Sequence, residues 1–111
     1  YNIRLINPGI HVSTKEAYNG VVPKTPEQAV EQIIQLPIKE WKNKLKNDFE
    51  DSVFAKHPQL EKIKEDLYNN GAIYASMSGS GSVLYSFNSW GYSSFIISNS
   101  MKRKTYSLML L

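Results

Sequence analysis

The sequence predicts an α+β sandwich, with helices covering one face of a mainly antiparallel sheet. Three observations carry this prediction. Tyr1-Asn2-Ile3-Arg4-Leu5-Ile6 alternates apolar and polar residues at the period of a strand. Helix start and stop signals then fill the stretch from Thr25 to Gly71. Apolar runs return on both sides of a glycine/serine loop, Met77-Ser78-Gly79-Ser80-Gly81-Ser82. The resulting order, β–α–α–α–β–β–β, sets a block of helices against strands from both ends of the chain.

Each element has its own local cause. Asn7-Pro8-Gly9 is a turn signal after the first strand, and Ile10-His11-Val12 is short and extended. Ser13 or Thr14 caps a short helix from Lys15 to Tyr18, which Asn19-Gly20 stops. Thr25-Pro26-Glu27-Gln28 opens the next helix, with a cap, a proline at the first position and a capping-box glutamine. Ala29, Val30, Ile33 and Ile34 share one face of it, and Pro37 ends it. Ile38, Trp41 and Leu45 follow at helical spacing in a segment running to about Lys46. Asn47-Asp48-Phe49-Glu50 reads as a second capping box, opening a helix with Val53 and Phe54 inward. Pro58 begins a helix whose core stripe is Leu60, Ile63 and Leu67, and Gly71 caps its end. Beyond the glycine loop, Asn88 to Ser94 reads as a turn region. Phe95-Ile96-Ile97 and Tyr106 to Leu111 read as strands, joined through Met101 to Lys104.

The chain has 111 residues, the size of one domain. It has no cysteine, which removes disulfides, thiolate nucleophiles and cysteine-based zinc sites. No apolar run approaches the roughly 20 residues of a membrane span, and no signal-peptide pattern is present. The net charge is +3, but the lysines are spread out, as on solvated helix faces. A nucleic-acid footprint wants clustered basic residues with interleaved aromatics, so no nucleic-acid partner is expected. The chain opens at Tyr1, without methionine and already inside a strand, and therefore reads as a piece of a larger protein.

Two stretches carry candidate chemistry. The glycine loop lacks the Gly-Lys-Ser/Thr of a phosphate-binding P-loop, and the strand at Val83 excludes a dinucleotide fingerprint. It is either a structural hairpin loop or a ligand loop whose N–H groups converge on an anion. Apolar flanks argue against a flexible linker. Thr14 and Tyr18 lie four residues apart and share a helix face. A hydroxyl beside an aromatic ring suits a nucleobase, which stacks and hydrogen-bonds; the alternative is a cap and a core-edge ring. His11 and His57 do not pair as metal ligands, and no metal site is expected. Asp48, Glu50 and Asp51 are explained by the favourable field at a helix N-terminus.

Taken together, Asn7 to Tyr18, Asn47-Asp48-Phe49-Glu50 with Val53-Phe54, and Gly71-Ala72 leading into Met77–Ser82 resemble the C-terminal half of the 4-diphosphocytidyl-2-C-methyl-D-erythritol kinase family, a branch of the GHMP kinases. The resemblance covers roughly residues 1–87. It implies a ferredoxin-like domain and ATP-dependent phosphorylation of the 2-hydroxyl of a cytidine-diphosphate-linked methylerythritol, with Mg²⁺. It implies that Tyr18 stacks on the cytosine and that Thr14 contacts the cytidine. Ser78, Gly79, Ser80, Gly81 and Ser82 match a family loop that lines the cleft between two domains. The ATP-binding loop and the catalytic residues belong to the family's N-terminal domain, so no catalytic residue is expected in this chain, and the piece alone is expected to be inactive.

The resemblance also implies a bacterial-type cytoplasmic location and a partner in the N-terminal ATP-binding domain. Residues 88–111, serine-rich, then basic, then apolar, depart from the family's usual ending. Two competing readings follow. Another GHMP kinase, on mevalonate-type or sugar substrates, would leave Tyr18 as core. A ferredoxin-like RNA-binding module would need exposed aromatics on the central strands and a basic sheet face.

Overall fold

The computed structural model describes residues 1–21 and 28–89, and the backbone of 104–109. Four strands, β1 (Asn2–Asn7), β2 (Tyr74–Met77), β3 (Leu84–Asn88) and β4 (Lys104–Met109), form one sheet in the order β2-β3-β1-β4. Every neighbouring pair is antiparallel. The helical block between β1 and β2 returns the chain to the far side of β3, the split β–α–β crossover of ferredoxin-like sandwiches. β4 pairs with β1 from Asn2↔Met109 to Asn7↔Lys104.

Register decides which side chains meet. Ile6, Leu84 and Met77 are cross-strand partners, as are Arg4, Ser86 and Ala75. Partners share a face, and this face receives Ala17, Val53, Phe54, Leu60, Ile63 and Leu67 from the helices to form the core. The opposite face carries Tyr74, Tyr85 and Phe87. Trp41 packs there edge-on, 5.7 Å from Tyr74 and 6.0 Å from Phe87.

Helix α1 (Thr14–Gly20) is capped by Ser13, whose Oγ accepts from the Glu16 N–H at 3.4 Å. Helix α4 (Pro58–Asn69) buries the predicted Leu60, Ile63 and Leu67. It ends in a Schellman motif: Ala72 N–H donates to Leu67 O and Gly71 N–H to Tyr68 O, with Gly71 at φ +99°. The Tyr68 hydroxyl both donates to Ala75 O and accepts from Ala75 N–H, which satisfies these two backbone groups on the buried outer edge of β2.

Three expectations differ from the structure. Helix α2 (Val30–Ile33) is a single turn, and residues 22–27, with most of its expected start signal, lie outside the described residues. Of its expected apolar face only Ile33 is buried, while Ala29, Val30 and Ile34 are exposed. Ile38 to Lys46 is not a helix but a 3₁₀ turn, Ile38–Glu40, followed by a turn closed on Trp41 O. Side-chain bonds take its groups: Trp41 Nε1 donates locally to Leu36 O, and Leu45 O accepts the hydroxyl of the distant Tyr74 at 2.9 Å. The capping box at Asn47–Glu50 is half-formed. Asn47 Oδ1 accepts from Phe49 N–H, but the Glu50 carboxylate turns away to Lys64 and to Met77 N–H. The expected strand at Phe95–Ile97 and most of the turn region at 88–94 fall outside the described residues.

Candidate nucleotide-binding helix and glycine loop

The site is built on the rigid helix face of the sandwich. Helix α1 lies against α3 (Glu50–Lys56), and the approach is close. A β-carbon on Gly20 would come within 2.7 Å of Ser52 Cβ, so only glycine lets the two helices meet. Ala17 turns into the core, which leaves Thr14 and Tyr18 on the outward face. Tyr18 is 62% exposed, the most exposed of the large apolar side chains described. Its ring stands edge-to-face on Phe49 with centroids 5.0 Å apart.

The glycine loop is a tight connection from β2 to β3. Ser78 N–H donates to Val83 O at 2.7 Å, and Gly81 N–H donates to Ser78 O at 3.0 Å. Gly79 and Gly81 sit at φ +54° and +94°, a region that side chains with a β-carbon rarely adopt. A β-carbon on Gly81 would also press on Met77 Sδ at 3.0 Å and Val12 Cγ2 at 3.4 Å. Val12 immediately precedes the cap of α1, so this contact sets the loop beside the root of the helix that carries Thr14 and Tyr18.

A second link runs through Asn47, to which the sequence assigns only a helix-capping role. Its Nδ2 donates to Met77 O and to Gly79 O, each at 2.7 Å. Its Oδ1 holds Phe49 N–H, and Phe49 backs Tyr18. Beneath it the buried Glu50 carboxylate receives Lys64 at 2.8 Å and Met77 N–H at 3.1 Å. Two of the predicted residues, Tyr18 and Gly79, are therefore joined by one polar and aromatic chain through Phe49 and Asn47. No spacing rule could find Asn47 in this role, because its partners lie about thirty residues away.

Two other features lie beside this site, and the first shares Gly20, Asn47 and Glu50 with it. A groove of about 780 Å³ opens between residues 42–48 and α4, lined by neither Thr14, Tyr18 nor the loop. Its lining sets Lys42, Lys46 and Lys64 among the carboxylates of Asp48, Glu50, Asp51, Glu61 and Glu65, which outnumber them. Tyr85 and Phe87 on central β3 are packed by Trp41 and Tyr74 and offer no open row of rings for bases. Among the described residues no cluster of His, Cys, Asp and Glu is placed to hold a metal ion. None of the described helices is long and apolar enough to cross a membrane.

Comparison with known proteins identifies the family. The family model for the C-terminal domain of GHMP kinases matches residues 24–88. The 4-diphosphocytidyl-2-C-methyl-D-erythritol kinase of Azobacteroides pseudotrichonymphae is 54% identical over 86 residues, 77% of this chain and 32% of its own. That of Parabacteroides distasonis is 52% identical over 85 residues, 77% of this chain and 31% of its own. The chain thus spans about a third of the length of these relatives. A crystal structure of 4-(cytidine 5'-diphospho)-2C-methyl-D-erythritol kinase superposes with a TM-score of 0.65 at 26% identity, over 77% of this chain and 32% of that one. Homoserine kinase from Cytophaga hutchinsonii shares the fold, with a TM-score of 0.66 at 17% identity over 98% of this chain and 41% of that one. The order of strands, the helix layer and the matched residues agree: the chain belongs to the GHMP kinase family, as a C-terminal domain of that family.

Proposed function

We propose that this chain is the C-terminal substrate-binding domain of a kinase that phosphorylates the 2-hydroxyl of 4-diphosphocytidyl-2-C-methyl-D-erythritol, a step of isoprenoid synthesis in a bacterial-type cytoplasm. One observation carries the reading: α1 presents Thr14 and an exposed Tyr18 ring, one turn apart, beside the glycine loop. The naming of relatives about half identical to this chain supports it. Tyr18 stacks on the cytosine and the Thr14 hydroxyl hydrogen-bonds the cytidine. Residues 78–82 form one wall of the cleft in which the phosphorylated hydroxyl lies, opposite an N-terminal ATP-binding domain.

This reading places ATP and Mg²⁺ on that N-terminal domain, where the triphosphate supplies the phosphoryl group and the ion offsets its charge. No residue described here is assigned to either, and the chain on its own is inactive. What the chain contributes is position, which matters because phosphoryl transfer relies on alignment and charge placement. Residues 1–111 act as one domain, with 88–111 an unusual ending of it.

The test is titration of the full-length protein with the cytidine-linked alcohol, repeated with Tyr18→Ala. Loss of a stacked base is expected to weaken binding by about 1–3 kcal/mol. Unchanged affinity would remove the stacking role. Turnover by the 111-residue chain alone would overturn the assignment of catalysis to a separate domain.

A further inference from the structure

We propose that Asn47 is a positioning residue that sets the orientation of the glycine loop toward its ligand. The inference rests on the kinase reading above and adds a residue to it. The carboxamide of Asn47 has two N–H bonds and one carbonyl oxygen, and the structure uses all of them. Both N–H bonds are committed, at 2.7 Å, to the carbonyls of Met77 and Gly79. The oxygen accepts from Phe49 N–H at 2.9 Å and so anchors the side chain to the entry of α3.

The consequence for the loop follows from the peptide group itself. In a planar trans peptide the C=O and the next N–H point in opposite directions. Pulling Gly79 O toward Asn47 therefore turns the Ser80 N–H away from Asn47. Ser80 N–H makes no hydrogen bond within the described residues, so it is available to a ligand. Ser78 N–H is spent on Val83 O. The two captured carbonyls are the groups that would repel a phosphate oxygen if they turned into the cleft. Asn47 thus holds the negative ends of two peptide dipoles on the protein side and leaves a positive end outward. Gly79 has no β-carbon and open space where one would sit, so no side-chain packing of its own holds this peptide.

Asn47→Asp isolates the effect. The carboxylate still accepts from Phe49 N–H, but it has no N–H for Met77 O or Gly79 O and repels both. Asn47→Ser keeps a capping oxygen on a shorter side chain and serves as the second variant should the aspartate not fold. In the full-length enzyme, kcat is expected to fall at least tenfold in either variant. KM for the cytidine-linked alcohol is expected to stay within about threefold, because Thr14 and Tyr18 are untouched. A merely structural role would lower the folded fraction and leave kcat per folded molecule alone, and parental kcat in a folded variant would overturn the proposal.

Amide hydrogen exchange at residues 78–82, measured on the same proteins, needs no turnover. At least tenfold faster exchange in the variants supports the clamp, and unchanged exchange overturns it. A parental enzyme that does not phosphorylate the alcohol would refute the kinase reading. The exchange result would still decide whether Asn47 holds the loop.

Discussion

The ring of Tyr18 stands at 81° to that of Phe49, an edge-to-face contact that fixes the orientation of an otherwise exposed side chain. A ring held in advance loses less freedom when a base stacks on it. Such pairs contribute about 0.5–1.5 kcal/mol beyond their buried area. Phe49→Leu is therefore expected to weaken binding of the cytidine-linked alcohol by about two- to tenfold in the full-length enzyme. That is less than the loss expected for Tyr18→Ala. Calorimetric titration of both variants checks the ranking. An affinity equal to the parent in Phe49→Leu would show that the support is not used.

The meeting of Gly20 with Ser52 predicts a steric cost. An alanine at position 20 would place its methyl 2.7 Å from Ser52 Cβ, which is held by the α3 backbone and cannot swing aside. Separating α1 from α3 is expected to cost about 1–3 kcal/mol. Adding Ser52→Gly removes the clashing atoms, so the double variant should be more stable than the sum of the single changes implies. Urea midpoints of the parent, the two single variants and the double variant test this; strict additivity would mean that the contact does not govern the helix spacing.

Glu50 and Lys64 differ in what their loss exposes. Lys64→Met leaves a buried carboxylate with Met77 N–H as its one remaining donor of those seen here. A buried charged group that loses a partner costs about 1–3 kcal/mol or more. Glu50→Gln removes the charge but keeps an oxygen for Met77 N–H, and its cost is expected to be smaller. Thermal unfolding of the two variants gives the ranking, and a Lys64→Met protein as stable as Glu50→Gln would contradict it. Because Glu50 is buried and Lys64 is mostly covered, adding salt should weaken the difference only modestly.

How much of this was legible in the residues depended on distance along the chain. The α4 stripe of Leu60, Ile63 and Leu67 and the Gly71 stop are local, and periodicity and turn chemistry find them. The pairing of α1 with the glycine loop follows from the family resemblance, not from any spacing. The helix expected from Ile38 to Lys46 fails because Trp41 and Leu45 are claimed by Tyr74 and Phe87, more than 25 residues away. Asn47-Asp48-Phe49-Glu50 shows the same limit. Its spacing is that of a cap, yet two of its side chains bind the end of β2 and the loop beyond it. Local propensity cannot weigh such tertiary bonds.

Tyr74 makes the pH dependence predictable. Its hydroxyl donates to Leu45 O at 2.9 Å, and burial pushes its pKa far above the ordinary tyrosine range. Burial raises Tyr68 in the same direction. In the unfolded chain both hydroxyls ionise near pH ~10. Above that pH the unfolded state gives up protons that the folded state keeps, so rising pH favours unfolding. The stabilisation is complete below about pH 10 and is lost as pH climbs from there toward the folded values. Each tyrosine contributes up to about 1.4 kcal/mol per pH unit to that decline. Tyr74→Phe is expected to cost about 0.5–1.5 kcal/mol at neutral pH through the lost hydrogen bond. It should also make the alkaline decline shallower by one proton. Urea unfolding followed from about pH 7 to 11 measures both effects, and alkaline slopes that match in parent and variant would mean that Tyr74 does not keep its proton in the fold.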